Sequence, residues 1–472
     1  MLEELVDRLK PKLSSTPLLR RLSEEDLAQR YHAFQLMRMR GERRVGSLIP
    51  GRRIRMAATA CWAFPIYSQT FVYQELAQVI RHGFDLRFLY SSLNPRSHLP
   101  AQFSSLWQAK RKLVLEPRVY ELDYAYFVRK SPEKVKSLVE WLCRAAGVSP
   151  EELQSHYHFK QAFSFTRMVE AFRPDYLHSY FFYEGTLFTF FASYLLDIPR
   201  GVSCYADHLL DDYLLKVVPL HLEQCSIVVA TSNRIKRELI GIAPHVDPSR
   251  IVVKPNAIDS KRFPVSRRKE PDAGQPYRLV CVSRIEPKKG TLYLVEAVRH
   301  LLDRNIQVTA HVLGGVDQNA ASQEYAQAVE ARIRDLNVGG AVHLEGRKSE
   351  AEIRQFLTEA HLFVAPFVET ESGDKDGIPT ALLEAMATGI PAVATDAGSI
   401  TEVIDHGQDG VIVPQRDSPG LAAAIEELLA SPERRDHLGQ SGAEKIRKHF
   451  DVDICERIFH DRIRKVVAAG RK

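Results

Sequence analysis

Cysteine is scarce in this sequence, and its distribution argues against a disulfide framework or a metal site. Six cysteines occur in 472 residues, without a CxxC pair or a histidine paired with them at a zinc-ligand spacing. This scatter predicts a reducing, cytoplasmic setting and no zinc site. The six are Cys61, Cys143, Cys204, Cys225, Cys281 and Cys455.

Long apolar runs are absent as well. The nearest candidate, 181–196, is too short to span a membrane and contains Glu184 and Gly185, so it predicts a buried helix beside a sheet. The first ten residues alternate charge with leucine, and we therefore expect no secretory signal. No GxGxxG motif follows either predicted first strand, which argues against a nicotinamide-dependent dehydrogenase.

Charge is balanced except at one end. The net charge is +5, and residues 1–55 alone hold 13 Lys and Arg against seven Asp and Glu. One interpretation is an amphipathic arm that contacts anionic lipid at the inner face of a membrane. The other, which we favour, is a helical extension that packs on its own domain. No motif for nucleic-acid binding accompanies the charge. The arginines are Arg38, Arg40, Arg43, Arg44, Arg52, Arg53 and Arg55.

The pattern along the chain predicts two doubly wound α/β domains. Ser23 begins a predicted helix with an apolar stripe of Leu27, Tyr31, Phe34 and Met37. Strands alternate with helices from residue 51 to 263 and again from 277 to 440, which indicates two parallel sheets with ligand loops at their carboxyl edges.

The remaining segments complete the predicted domain organisation. Residues 1–50 form a basic helical extension, and a helical insertion lies near 92–170 in the first, Rossmann-like domain. We predict one final helix, from about 441 to 468 within the segment 441–472.

The most informative segment is 374–395, DKDGIPTALLEAMATGIPAVAT. Asp376 and Glu384 stand eight positions apart, and Pro379 suits the first position of the helix that follows. A helix N-terminus offers free amides to an anion, and carboxylates accept from hydroxyls, so a sugar nucleotide fits this pattern. The alternative is an acidic N-cap followed by a solvated glutamate.

Four other segments stand in order around it: VVKPNAID (252–259), LVCVSRIEPKKG (279–290), VHLEG (342–346) and HLFVAPF (361–367). The set resembles the family 4 retaining glycosyltransferases of the exopolysaccharide and colanic acid type, over roughly residues 54 to 450. The resemblance implies the GT-B architecture, with two Rossmann-like domains facing across a cleft. It also implies donor binding by the second domain and a final helix that crosses back to the first.

Arg284 and Lys289 follow a predicted strand, and a guanidinium and an ammonium directed at one point suit a diphosphate leaving group. The resemblance assigns these two residues to donor phosphate, Glu384 to the ribose and Asp376 to the transferred sugar. Asp376 stands where the family has glutamate, which leaves the donor sugar open. The residues expected to bind the donor are Arg284, Lys289, Asp376, Gly377, Ile378, Pro379, Thr380 and Glu384.

Two segments of the first domain supply the remaining candidates. CYADHLLDDY (204–213) resembles the family's histidine segment with one residue inserted, so either His208 or Asp207 takes the histidine position. If His208 takes that position, the resemblance implies that it lies near the reacting anomeric centre. FPIYSQTFVYQEL (64–76) resembles an acceptor loop, in which Ser68, Gln69 and Thr70 would bind acceptor hydroxyls.

These patterns predict a retaining hexosyltransferase that acts on a nucleoside-diphosphate sugar and a saccharide or glycolipid acceptor, in polysaccharide or cell-envelope glycan synthesis. We expect no cofactor and no metal, although Asp374 and Asp376 also form a D-x-D pair. The predicted catalytic residues are His208, Asp376, Arg284 and Lys289. A sugar-nucleotide epimerase of the same architecture and a non-catalytic nucleotide-sugar-binding protein are the alternatives. The sequence leaves open the donor base and sugar, the acceptor, the linkage and the oligomeric state.

Overall fold

The computed structural model contains two α/β domains, each built on a parallel sheet packed against helices. The prediction of two doubly wound parallel sheets is confirmed. The structure describes residues 24–47, 53–59, 63–66, 70–94, 99–182, 184–205 and 217–470.

The first domain holds a seven-stranded sheet of order β5-β3-β1-β6-β7-β8-β9, with β2 and β4 paired separately. Alternate residues of β1 enter different hydrophobic clusters, Ala57 on one face and Met56 and Ala58 on the other, so helices cover both faces. The strands are β1 (Arg55–Thr59), β2 (Ala63–Phe64), β3 (Asp85–Tyr90), β4 (Ser92–Leu93), β5 (Lys110–Lys112), β6 (Tyr176–Tyr180), β7 (Arg200–Cys204), β8 (Ile227–Ala230) and β9 (Ile251–Val253).

The helices of this domain begin where the sequence supplies helix-start residues. Proline stands in the first turn of four of them, where its fixed φ is already helical and its missing N–H costs nothing. The helices are α1 (Glu24–Ser47), α2 (Thr70–Arg81), α3 (Leu106–Ala109), α4 (Pro117–Lys130), α5 (Pro132–Ala146), α6 (Pro150–Ser155), α7 (Tyr157–Phe172), α8 (Glu184–Leu196), α9 (Val218–Glu223) and α10 (Asn233–Ile242).

The buried face of α1 differs from the predicted stripe. Phe34 and Met37 are exposed, whereas the buried residues are His32, Gln35, Leu36 and Met39. Two of these are polar, and each has a polar side chain beside it. His32 Nε2 is 2.9 Å from Asp123 Oδ2 on α4, and Gln35 donates to the Tyr31 hydroxyl at 2.7 Å. The helix packs against α7 and α4, which favours the helical-extension interpretation of the basic arm.

The second domain holds a six-stranded sheet of order β12-β11-β10-β13-β14-β15. Its strands are β10 (Tyr277–Val282), β11 (Val308–Leu313), β12 (Val342–Gly346), β13 (Leu362–Ala365), β14 (Ala392–Thr395) and β15 (Val411–Val413). The helices are α11 (Thr291–Asp303), α12 (Ala320–Asp335), α13 (Glu350–Glu359), α14 (Thr380–Ala387) and α15 (Ser418–Leu429).

The chain ends in two helices rather than the single helix expected over about 441–468. They are α16 (Pro432–His449) and α17 (Val452–Ala469). Between them Asp451 lies opposite Ile258 in the connection between the domains: Ile258 N donates to Phe450 O, and Val452 N donates to Ile258 O, which interrupts the helical ladder. Phe459, Ile463 and Val467 of α17 belong to a hydrophobic cluster of the first domain. The last helix therefore packs on the domain in which the chain began.

Two general features complete the description. The described cysteines are all free thiols. Within the part of the chain that the structure describes, no helix combines the length and the apolar character needed to cross a membrane.

Candidate active site

The strand order of the second sheet brings two loops together. Strand β10 lies between β11 and β13, so the chain leaves β10 on one side and returns on the other. Ligands bind at such a switch point, outside the carboxyl ends of the strands. Here the loop 283–290 after β10 meets the loop 366–379 after β13, and Val368 N donates to Lys288 O at 2.9 Å.

Gly290 allows these two loops to approach closely. Its φ is +60°, and a Cβ at this position would overlap the carbonyl of Pro366. Glycine alone combines this backbone conformation with such a contact at no steric cost. The backbone of the β10 loop is thereby fixed against the loop that carries Asp376.

The predicted phosphate-binding cations lie at this junction, each paired with a carboxylate. Lys289 Nζ is ion-paired with Asp376, and its side chain is 12% exposed. Arg284, with 47% of its side chain exposed, contacts Glu286 Oε1 at 2.9 Å and also bonds to Asp317. Partial burial alone would lower the pKa of Arg284, but the carboxylates of Glu286, Asp317 and Asp376 raise it. An anionic ligand would therefore meet cations that already have replaceable partners.

The D-x-D pair is engaged by lysines. Lys288 Nζ lies 3.2 Å from Asp374 Oδ1, and Lys289 holds Asp376. Within the described ranges, no three His, Cys, Asp or Glu side chains are grouped so that they could hold a metal ion.

Helix α14 begins one residue later than predicted. Pro379 is the N-cap, with φ −72° and ψ 121°, and Thr380 is the first helical residue. The Pro379 carbonyl accepts from Leu382 N at 3.1 Å. The first turn of α14 therefore follows directly on Gly377 and Ile378 and directs its N-terminal end at the same junction.

Glu384 is a glutamate without a partner in the middle of α14. It is partly accessible to solvent, and it has no hydrogen-bond or ion-pair partner among the residues that the structure describes. Burial, with a further contribution from Glu350, raises the pKa of Glu384 to about 7, although Arg262 opposes the shift. A recessed carboxyl with free acceptor capacity suits a ligand that brings its own hydroxyl donors.

The predicted residues of the first domain mostly lie outside the described residues. This applies to Ser68 and Gln69, and to Asp207 and His208. Thr70 is the first residue of α2, but its side chain is likewise outside the described set.

Three residues that the sequence did not indicate reach the donor loop or its neighbours across the cleft. Arg234 and Asn256 of the first domain donate to the backbone carbonyls of Asp376 and Ile378. Glu402 of the second domain accepts from backbone amides of α10. Arg234 lies in an ordinary amphipathic pattern, so no local signal marks it. Asn256 belongs to VVKPNAID (252–259), one of the segments that carry the family resemblance.

The comparisons with known proteins agree with this architecture. Residues 263–445 match the family described as Glycosyl transferases group 1. A protein of Salmonella typhimurium whose name assigns it to colanic acid biosynthesis as a glycosyltransferase is 31% identical over 38% of this chain and 42% of its own length. The amylovoran biosynthesis glycosyltransferase AmsK of Erwinia amylovora is 30% identical over 48% of this chain and 53% of its own. The match thus spans about half the length of these relatives.

Solved structures extend the likeness to both domains. The Anabaena HepE protein in complex with UDP aligns with a TM-score of 0.62 and 16% identity, covering 87% of this chain and all of that one. At this identity the likeness bears on the fold alone. The two parallel-sheet domains have the GT-B fold. The chain therefore has the GT-B fold, and within it residues 263–445 match the Glycosyl transferases group 1 family.

Proposed function

We propose that the protein is a retaining, metal-independent glycosyltransferase that moves a sugar from a nucleoside diphosphate to a saccharide or glycolipid acceptor, in the synthesis of a polysaccharide or cell-envelope glycan. The observation that carries the proposal is the ion pair of Lys289 with Asp376 at the switch point of the second sheet, with Arg284 in the same loop and its pKa raised in part by Asp376. The names of the matched relatives, both glycosyltransferases of polysaccharide biosynthesis, and the UDP bound to HepE support it.

The paired charges suggest how a donor would bind. A diphosphate carries enough negative charge to take the place of Asp317 on Arg284 and of Asp376 on Lys289. Both ion pairs retain access to solvent, so a ligand can displace their carboxylates. Asp376, freed from Lys289, could then accept from hydroxyls of the sugar. As the sugar leaves, charge develops on the phosphates, and the two cations stabilise it.

The recess at Glu384 would receive the ribose. The raised pKa of Glu384 reflects the cost of burying its charge. Hydrogen bonds donated by two ribose hydroxyls to the carboxylate would offset part of that cost. The sequence offers no evident carboxylate nucleophile, which supports front-side departure and attack over a double displacement. His208 near the anomeric centre belongs to the proposal.

A thermal-shift panel of UDP, GDP, ADP and their sugars tests the proposal first. The protein would then be incubated with the nucleotide sugar that stabilises it and with oligosaccharide and glycolipid acceptors. The anomeric configuration of the product would be determined by NMR. Retention of configuration and unchanged turnover in EDTA are the expected results. Stabilisation by none of the nucleotides would refute the assignment, and conversion of donor without acceptor would favour the epimerase.

A further inference from the structure

Three consecutive residues of the donor loop contact the first domain through their backbone. Arg234 Nη2 donates to Asp376 O at 3.4 Å, and Asn256 Nδ2 donates to Ile378 O at 2.9 Å. Between them, a Cβ on Gly377 would lie 3.0 Å from Tyr205 O. The segment that carries Asp376 is thus held from across the cleft.

Arg234 is itself fixed by both domains. Its Nη1 donates to Glu238 Oε1 at 2.7 Å on the same helix, and its Nε donates to Ser399 Oγ at 3.1 Å in the second domain. A guanidinium is planar and presents its donors in a rigid fork, so these bonds set the direction in which the third donor points.

Glu402 closes the contact from the other side. Its carboxylate accepts from Asn233 N at 2.7 Å and from Arg234 N at 2.8 Å, the first two amides of α10. These amides have no partner inside their own helix, and the helix N-terminus favours a negative charge. The second domain therefore adds a cap to a first-domain helix whose own N-cap, Ser232, accepts from Ile235 N, and the capped helix presents Arg234 to the donor loop.

We propose that Arg234 and Asn256 are positioning residues for the donor site, and that their bonds, with the Glu402 cap, exist only when the two domains meet. The inference rests on the proposed function. Opening of the cleft would release the carbonyls of Asp376 and Ile378 and loosen the loop. Donor binding and domain closure are then coupled, because the site is complete only in the closed arrangement.

The experiment uses the full chain and the variants Arg234→Ala, Arg234→Lys and Asn256→Ala. Arg237→Ala is the matched control, an exposed arginine one position before Glu238 on the same helix. Amide hydrogen exchange of the peptide 374–380 is measured without ligand, and affinities are measured for UDP and GDP. The donor KM and kcat are then measured separately with the sugar nucleotide that the panel identifies.

Loss of a charged hydrogen bond should raise loop exchange and the nucleotide Kd about tenfold in Arg234→Ala, and less in Asn256→Ala. Arg234→Lys should fall between wild type and Arg234→Ala, because an ammonium keeps the charge but not the fork. The donor KM should rise more than kcat falls, whereas Arg237→Ala should stay within about twofold of wild type in every measurement.

Two outcomes separate this inference from the proposed function. Wild-type loop exchange in both Arg234→Ala and Asn256→Ala would overturn the positioning role. Faster exchange in both variants, in a protein that no nucleotide of the thermal-shift panel stabilises, would support the positioning role while the proposed function failed. Arg234→Lys and Asn256→Ala keep the test valid should Arg234→Ala not fold.

Discussion

Each domain places a lysine near the carboxyl end of a strand and opposite carboxylates, yet the two lysines lie in different surroundings. Lys254 directly follows β9 and lies 2.9 Å from Glu75 Oε1 and 2.8 Å from Glu456 Oε1, with 1% of its side chain exposed. Lys289 follows β10, contacts Asp376 and is 12% exposed, beside the half-exposed Arg284.

Burial decides what each arrangement can do. The Lys254 cluster joins α2, β9 and α17, and the hydroxyl of Tyr205 also donates to Glu75 at 2.9 Å. Burial favours the neutral amine, but Glu456 and Glu75 outweigh it and raise the pKa of Lys254. Because all three charged side chains are buried, this cluster holds the last helix on the first domain. The cations of the second domain keep exchangeable partners, so they can serve a ligand.

The largest effect should come from Lys254→Met, which leaves two buried carboxylates without their cation. Removing one partner of a buried ion pair costs about 3–5 kcal/mol, because the remaining charge is uncompensated. We expect an equally large fall in the free energy of unfolding, measured by urea denaturation. Lys261→Met is the control, since that lysine side chain is 80% exposed. A loss of less than about 1 kcal/mol in Lys254→Met would contradict the conclusion that this cluster holds the last helix on the first domain.

Next in size is Arg284→Ala, compared with Arg278→Ala. Arg278 is the second residue of β10 and is paired with Glu359 away from the junction, whereas Arg284 follows the other end of the strand. Loss of a group that stabilises developing charge typically lowers turnover about 10²–10³-fold, so kcat/KM for the donor should fall by that factor in Arg284→Ala. Arg278→Ala should stay within about twofold. Equal losses in both variants would remove the assignment of Arg284 to the phosphates.

The part of the site that the sequence predicts is the part that local patterns encode. Alternating strands and helices place the loops after β10 and β13 at one edge of a parallel sheet, and this placement brings Lys289 to Asp376. Arg234 and Glu402 meet only because two domains pack against each other, and no periodicity of either segment carries that information.

Other differences have similarly non-local causes. Phe34 and Met37 continue an apolar stripe on α1, yet the helix turns His32 and Gln35 inward, where His32 lies against Asp123 of α4. The break between α16 and α17 follows from backbone bonds to Ile258, nearly 200 residues earlier in the chain. Tertiary contacts override propensity at such positions.

Gly377→Ala tests how firmly the first domain supports the second. The added Cβ would lie 3.0 Å from Tyr205 O, and Tyr205 cannot easily yield, because its hydroxyl is bonded to Glu75 in the Lys254 cluster. Overpacking of this kind costs about 1–3 kcal/mol, so nucleotide affinity should fall about tenfold, as measured by calorimetry. Gly340→Ala is the control, since nothing lies within 4 Å of a Cβ there. Unchanged affinity in Gly377→Ala would mean that the backbone at Tyr205 shifts to accommodate the added Cβ.

The smallest effect, and the one that separates the two domains most directly, concerns their two glutamates of raised pKa. Burial raises the pKa of Glu75 and of Glu384, each to about 7. In the window from about 4.5 to 7 the folded protein therefore binds more protons than the unfolded chain, and both groups make the free energy of unfolding fall as pH rises. Glu75→Gln and Glu384→Gln should each remove part of that slope.

Only Glu384 should change its behaviour with a ligand. If ribose hydroxyls bond to the ionised carboxylate, affinity for a nucleoside such as uridine or guanosine should rise about three- to tenfold from pH 6 to pH 8. A nucleoside is used because it has no phosphate that titrates in this range. Glu384→Gln should bind with no such dependence, and Glu75→Gln should retain it in full. A pH dependence that survives in Glu384→Gln would place the titrating group elsewhere and would separate Glu384 from the ribose.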